Sequence, residues 1–247
     1  KLNKLKSTRP KFSAGITNRL YTPLTNIKSE LRQTLLYKGE KLVEIDIVNS
    51  LPFILSCLLK GDLLMNISVK EILIKYINNI YINVGQISEK PDVLKFHSLI
   101  ADGTLYDFLS VKFNQIKGKT YTRKQSKIRF NAVTNQLVRH KDSREKAVLR
   151  DQFPSIISLI DNLYHNRLPN VKGQPLPLIL QSIESMFVLD IVSRKIVIEL
   201  PDMPYYTVHD SWMVPKDKVY QVLDIIKDEA RKFFNAEIGL KWDICNI

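Results

Sequence analysis

The chain has 247 residues and a formal net charge of +12, from 37 Lys and Arg against 25 Asp and Glu. A hydrophobic content of 45 % is enough for a packed core and excludes whole-chain disorder. Eight glycines and eleven prolines exclude a collagen-like or linker-dominated chain.

The longest apolar stretch, Leu51–Leu59, is about half of the ~20 residues that span a bilayer. Lys1 to Lys11 is basic and polar, unlike a signal peptide, and reads as a fragment edge or an arm. Cys57 and Cys245 lie far apart without histidines at ligand spacing, so a disulfide framework and a zinc site are unsupported. The expected setting is intracellular: cytoplasmic, or a phage, plasmid or organelle replication setting. An isoelectric point near 9.5 favours a polyanionic partner, nucleic acid ahead of a membrane surface.

In chain order, residues 1–40 are polar and irregular, with a helix-like stretch over 27–36. Residues 42–48 alternate apolar and acidic side chains (Val43, Glu44, Ile45, Asp46, Ile47), which predicts a strand. Pro52 then opens an apolar helix. Helical spacing recurs over 69–82, 92–100, 104–116, 121–138 and 153–166, with Thr104, Thr120 and Pro154 near the starts. Pro175 and Pro177 open a long amphipathic helix to about Ile198, with Leu180, Ile183, Phe187 and Ile191 on one stripe. Short strands over 205–208 and 212–214 flank His209-Asp210-Ser211. A helix over 216–235 and a strand over 241–244 close the chain. The order predicts an α+β fold, a small antiparallel sheet interrupted by a large helical excursion. The expected division is 1–60, 61–170 and 171–247.

Three groups of residues could carry chemistry. Asp46 ends an apolar strand and Asp210 lies between two strands, and burying a carboxylate is costly unless cations or hydrogen bonds compensate. Either the two are turn or cap residues, or they share divalent cations in a phosphoryl-transfer site. Residues 112–129 hold Lys112, Lys117, Lys119, Arg123, Lys124, Lys127 and Arg129 and no acid. Arg123 and Lys127 share a helix face, with Phe130 close to it, which suits a triphosphate and a stacked base, or else a solvated basic face. Gln181 and Glu184 stand one turn apart on the long helix, where a satisfied or exposed polar pair is the plain reading.

Together these stretches resemble the polymerase core of family A DNA polymerases and the related single-subunit phage and mitochondrial RNA polymerases, from about residue 17 to the end. TNRLYTPLTNI (17–27) is similar to the family's opening motif. LRQTLLYKGEKLVEIDIVNS (31–50) resembles the approach to motif A, RKQSKIRFNAVTN (123–135) motif B, and YTVHDSWMVP (206–215) motif C. PLILQSIES (177–185) is a weaker match to the helix that reads the primer-template junction, and LKWDICNI is like the terminal palm strand.

The resemblance implies a right-hand palm: 1–60 as N-terminal arm and first palm segment, 61–170 as helical fingers, 171–247 as second palm segment. It implies a template-dependent nucleotidyltransferase, a family A-like DNA polymerase that extends a primer from dNTPs. Asp46, the Ile47 carbonyl and Asp210 would hold two Mg²⁺ ions, with Mn²⁺ as a substitute. Asp46, Asp210 and Lys127 would be catalytic. Arg123, Lys127 and Phe130 would hold the nucleotide. Arg19, Gln181 and His209 would contact the minor groove.

The sequence also departs from the family pattern. Leu51 stands where the DNA-synthesising enzymes carry a sugar-selecting glutamate, the motif B tyrosine place falls near Thr134 or Asn135, and motif C reads His-Asp-Ser. Sugar choice therefore stays open, with an RNA polymerase or primer-synthesising enzyme acting on NTPs and RNA as one alternative. A non-catalytic nucleic-acid-binding palm is another. The resemblance implies a thumb ahead of the first motif, so the expectation is either that the chain is a fragment or that a separate thumb or accessory domain serves it.

Overall fold

The computed structural model describes residues 13–32, 34–78, 87–135 and 143–242. The expected N-terminal arm, the helical spacing over 79–82 and 136–138, the strand end at 243–244 and Cys245 lie outside these residues. The chain divides into two compact units, one formed by the segments up to Ser50 and from Gln181 onward, the other by Leu51–Leu180.

The first unit opens with β1 (Ser13–Ala14) and β2 (Leu20–Tyr21), an antiparallel pair that sequence patterning does not signal. A 3-10 turn over Pro23–Asn26 follows, capped by Thr22. Next come α1 (Ser29–Arg32), β3 (Leu36–Tyr37) and β4 (Glu40–Ile47). The chain then runs through α2 (Ser50–Lys60), α3 (Ile67–Ile74), α4 (Pro91–Ala101), α5 (Leu105–Phe113), α6 (Arg123–Thr134), α7 (Arg144–Gln152) and α8 (Pro154–His165). It returns on α9 (Pro175–Ser185), a π-helical stretch (Met186–Ser193) and α10 (Arg194–Glu199). The hairpin β5 (Tyr206–Val208) and β6 (Ser211–Pro215), then α11 (Val219–Phe234) and β7 (Leu240–Trp242), complete it.

All sheet pairings are antiparallel, in the order β3-β4-β6-β5. The other edge of β4 is shared: β3 pairs at Glu40 and Lys41, and β7 pairs from Ile45 to Ile47. This is the small antiparallel sheet expected from the sequence, with helices supplying most of the chain. Val43, Ile45 and Ile47 are buried by the strand's alternation, and Trp212, Met213 and Val214 are buried beside them. α11 buries Val219, Val222, Leu223, Ile226, Ala230 and Phe234, which fall on one face, as in an amphipathic core helix.

The second unit is helical, and its core is ring-rich: Phe96 contacts Phe130 and Phe153, and Tyr106 contacts Phe130. Its bounds, Leu51 and Leu180, are ten residues wider at each end than the expected 61–170, because most of α2 and the start of α9 cluster with it. α7 was not anticipated. Its signal is Ser143, whose hydroxyl accepts from the Lys146 N–H as an N-cap. Lys146 on this helix is almost fully buried, 3.0 Å from Asp161, as a buried ammonium requires.

Pro175–Glu199 forms one continuous helix, as the periodicity predicts, but its middle is π-helical. It is the one helix among the described residues long and apolar enough to cross a membrane, and 61 % of its most apolar window is buried inside the fold, as in a core helix. At the end of the π stretch, Ser193 Oγ accepts from Trp212 Nε1 at 3.2 Å, and both residues are buried. Ser193→Ala leaves that indole N–H without a partner, so urea denaturation should show a loss of about 1–3 kcal/mol.

Candidate active site

The site is built by strand register. On β4, Glu44 and Asp46 point to the face opposite Ile45 and Ile47. Asp46 pairs with Ser211 on β6 and with Lys241 on β7. Asp210 immediately precedes Ser211, so the same register delivers Asp210 to the end of β4. The Ile47 N–H fixes this by donating to the Asp210 carbonyl at 3.1 Å. His209 and Asp210 are the whole connection between β5 and β6, and His209 takes a left-handed conformation with φ of 54° to close so short a turn. Ser211 Oγ is 3.0 Å from both the Val208 carbonyl and Glu44 Oε1. Glu44 also accepts from Arg32 at 2.9 Å, so the turn is tied to the strand that carries Asp46.

A fourth carboxylate of the site is Glu184 on α9, 1 % exposed. It accepts from Arg19 through Oε1 and from Ser50 Oγ through Oε2, the latter at 2.7 Å. The Lys241 ammonium stands 2.7 Å from Asp46 Oδ2.

These neighbours set the site's electrostatics. Burial, then the charges of Glu184 and Asp46, push Asp210 from 3.8 up to about 7, against a smaller opposing pull from its own backbone N–H and Arg19. Burial also raises Glu184, although Arg19 and Ser50 oppose it. His209 is lowered by burial and by the charges of Arg19 and Arg32. Asp46 raises Lys241 by hydrogen bonding.

The donor types suit a small hard cation: two carboxylates on adjoining strand ends, one of them raised to about 7 by burial and then by its acidic neighbours. No group of three or more His, Cys, Asp or Glu side chains stands at metal-holding distances among the described residues. A cation here would draw its remaining ligands from water, main chain or phosphate, the habit of magnesium.

The expected site residues fall in both units. Asp46, Ile47, Asp210, Arg19, Gln181 and His209 belong to the first. Arg19 is committed to Glu184, His209 meets the Tyr21 ring edge-on at 5.8 Å, and Gln181 lies one turn before Glu184. In the helical unit, Arg123 and Lys127 are exposed on one face of α6. Each stands 5.8 Å from the centroid of the same Tyr106 ring. The basic run is less free of acids than its sequence implies, because Asp107 reaches Arg123 at 3.1 Å and Glu145 reaches Lys119 at 2.8 Å. Phe130 is placed differently from the expected base-stacking position. It is 5 % exposed, with its ring against Phe96 and Tyr106, because α6 turns it into the core of the unit.

Sequence reasoning missed Ser50, Arg32, Lys241 and Tyr106, and it read Glu184 only as one of a polar pair with Gln181. Glu184 did leave a signal: it lies between Ile183 and Phe187 on the apolar stripe, where a charge needs a buried partner.

No family model matches the chain, and no curated protein matches it. Among solved structures the chain is similar to the POL domain of Pol1 from M. smegmatis, solved in complex with DNA primer-template and dNTP. The TM-score is 0.47 and the identity 13 %, over 98 % of this chain and 49 % of that one. The chain thus spans about half the length of that structure, and a likeness of this size assigns neither activity nor residue roles.

A carboxyl raised to about 7 stabilises the fold below pH 3.8, and that contribution is lost as pH rises through 7. Thermal melts in chelator should therefore show Asp210→Asn gaining on the parent chain between pH 4 and 8, by roughly 1–3 kcal/mol at the upper end. A constant difference across that range would contradict the assignment.

Proposed function

We propose that the chain is a template-dependent nucleotidyltransferase that extends a primer on a nucleic-acid template, with DNA and dNTPs as the first substrates to test. One observation carries the reading: Asp46 and Asp210 are brought to adjoining strand ends, and Asp210 resists ionisation beside two other acids. Such a pair gains from a divalent cation, and nucleotide transfer is chemistry that uses one between carboxylates and phosphates. The motif resemblance and the net charge of +12 agree with a polyanionic substrate.

Asp46 and Asp210 would hold magnesium, with the Ile47 main chain beside them. Bound magnesium would supply a lowered pKa at the primer 3′-hydroxyl and neutralisation of the leaving pyrophosphate. Arg123 and Lys127 would hold nucleotide phosphates and balance their charge, with the Tyr106 ring keeping the two cations side by side. Arg19 and His209 would meet the duplex. Arg19 keeps 17 % of its side chain exposed, and His209 is half-buried, with its ring against Tyr21.

A second reading, nucleic-acid binding without turnover, draws on Lys241. Its ammonium already stands 2.7 Å from Asp46, which a cation must outcompete.

Extension of a labelled primer decides between them. The chain should extend with Mg²⁺ or Mn²⁺ and lose activity in chelator. Asp210→Asn should reduce extension by about a thousandfold or more while keeping duplex affinity. If that variant extends as well as its parent, or the parent extends no primer with either ion, the catalytic reading fails. Lys127→Ala should raise KM for the nucleotide or lower kcat, by about tenfold or more. Parallel assays with NTPs settle the sugar.

A further inference from the structure

Glu184 is too enclosed to be a ligand and too well connected to be incidental. Both of its oxygens are occupied, by Arg19 and by Ser50. The next residue, Ser185, is also buried, and its hydroxyl donates to the Asn18 carbonyl at 2.7 Å. Two consecutive residues at the end of α9 therefore grip two consecutive residues of the β1–β2 connection.

That connection is tightly folded. Asn18 has a φ of 58° and donates its N–H to the Gly15 carbonyl at 2.9 Å, and Gly15 donates back to Arg19 at 3.0 Å. A Cβ at Gly15 would stand 2.7 Å from the Tyr21 ring, so this approach requires glycine. Tyr21 in turn meets His209 edge-on. The grip thus fixes Arg19 and, through Tyr21, abuts the turn that carries Asp210. Arg19 keeps 17 % of its side chain exposed, although its Nε is buried.

We propose that Glu184 is a positioning residue: held between Arg19 and Ser50, its buried carboxylate orients the Arg19 guanidinium to receive the nucleic-acid duplex. A guanidinium pinned at one nitrogen presents its exposed part in a fixed orientation at low entropic cost, which an unanchored arginine does not. The inference rests on the proposed polymerase reading and extends it to a residue that touches no substrate.

The test measures anisotropy of a labelled DNA primer-template in chelator, and steady-state extension in Mg²⁺. Glu184→Gln and Arg19→Gln should each weaken duplex binding about tenfold. The double variant should bind no worse than either alone, because both remove one coupled contact. In extension, Glu184→Gln should raise KM for primer-template about tenfold, and adding it to Arg19→Gln should raise KM no further, a coupling that general loss of structure would not give. Losses that multiply in the double variant, or Glu184→Gln binding like the parent, overturn the inference. Should Glu184→Gln fail to fold by circular dichroism, Ser185→Ala carries the test. It loosens the same turn, and its weaker loss, about threefold, should vanish in the Arg19→Gln background. An undiminished loss there overturns the inference. A parent chain that binds no duplex overturns the polymerase reading itself, whereas a binding, extending parent with an indifferent Glu184 overturns only this proposal.

Discussion

The pairing of Asp46 with Ser211 is the constraint on which the acidic centre depends. Strands have a side-chain period of two, so a slip of one residue between β4 and β6 would send Asp46 and Glu44 into the space now filled by Ile45 and Ile47. Apolar burial on one face therefore enforces the arrangement of acids on the other. Trp212 and Val214, buried on β6, hold the same register from the opposite strand. The turn residues add the remaining precision. With His209 left-handed and the Asp210 carbonyl bound to Ile47, the aspartate backbone is fixed before any ligand arrives.

Gathering acids in a fold has an electrostatic cost, and the neighbourhood offsets it unevenly. Glu44 has Arg32, Asp46 has Lys241 and Glu184 has Arg19. For Asp210 the opposing influences are its own backbone N–H and Arg19, and these are too weak to prevent the rise in its proton affinity. Partners for three acids and a deficit at the fourth give the centre a residual demand for positive charge, localised at one carboxyl group.

How much of this was legible beforehand varies with the kind of physics. Alternation over 42–48 and the apolar run after Pro52 gave strand and helix because side-chain period alone decides them. The hairpin around His209 was legible for the same reason. Phe130 was not. Its distance from Lys127 suits a shared outer face, yet three residues on a helix advance about 300°, enough for a ring at the edge of that face to turn inward. Nor could the run over 112–129 reveal Asp107 and Glu145, which come from outside it. Glu184 was visible only as a polar neighbour of Gln181, since its partners Arg19 and Ser50 are more than 130 residues away. Local pattern reveals elements, while ion pairs of long sequence separation appear only with the tertiary fold.

The π-helical stretch over Met186–Ser193 also limits how the chain can change length. It separates the part of the helix that carries Gln181 and Glu184 from the part packed through Ile196. Wider turns absorb residues that a regular α-helix would have to place elsewhere. Removing one residue there would rotate the first part against the second by about 100°. Glu184 would then swing out of reach of both its partners. The spacing between Glu184 and Ile196 is thus a fixed quantity, and an insertion or deletion within it is less tolerable than most point substitutions.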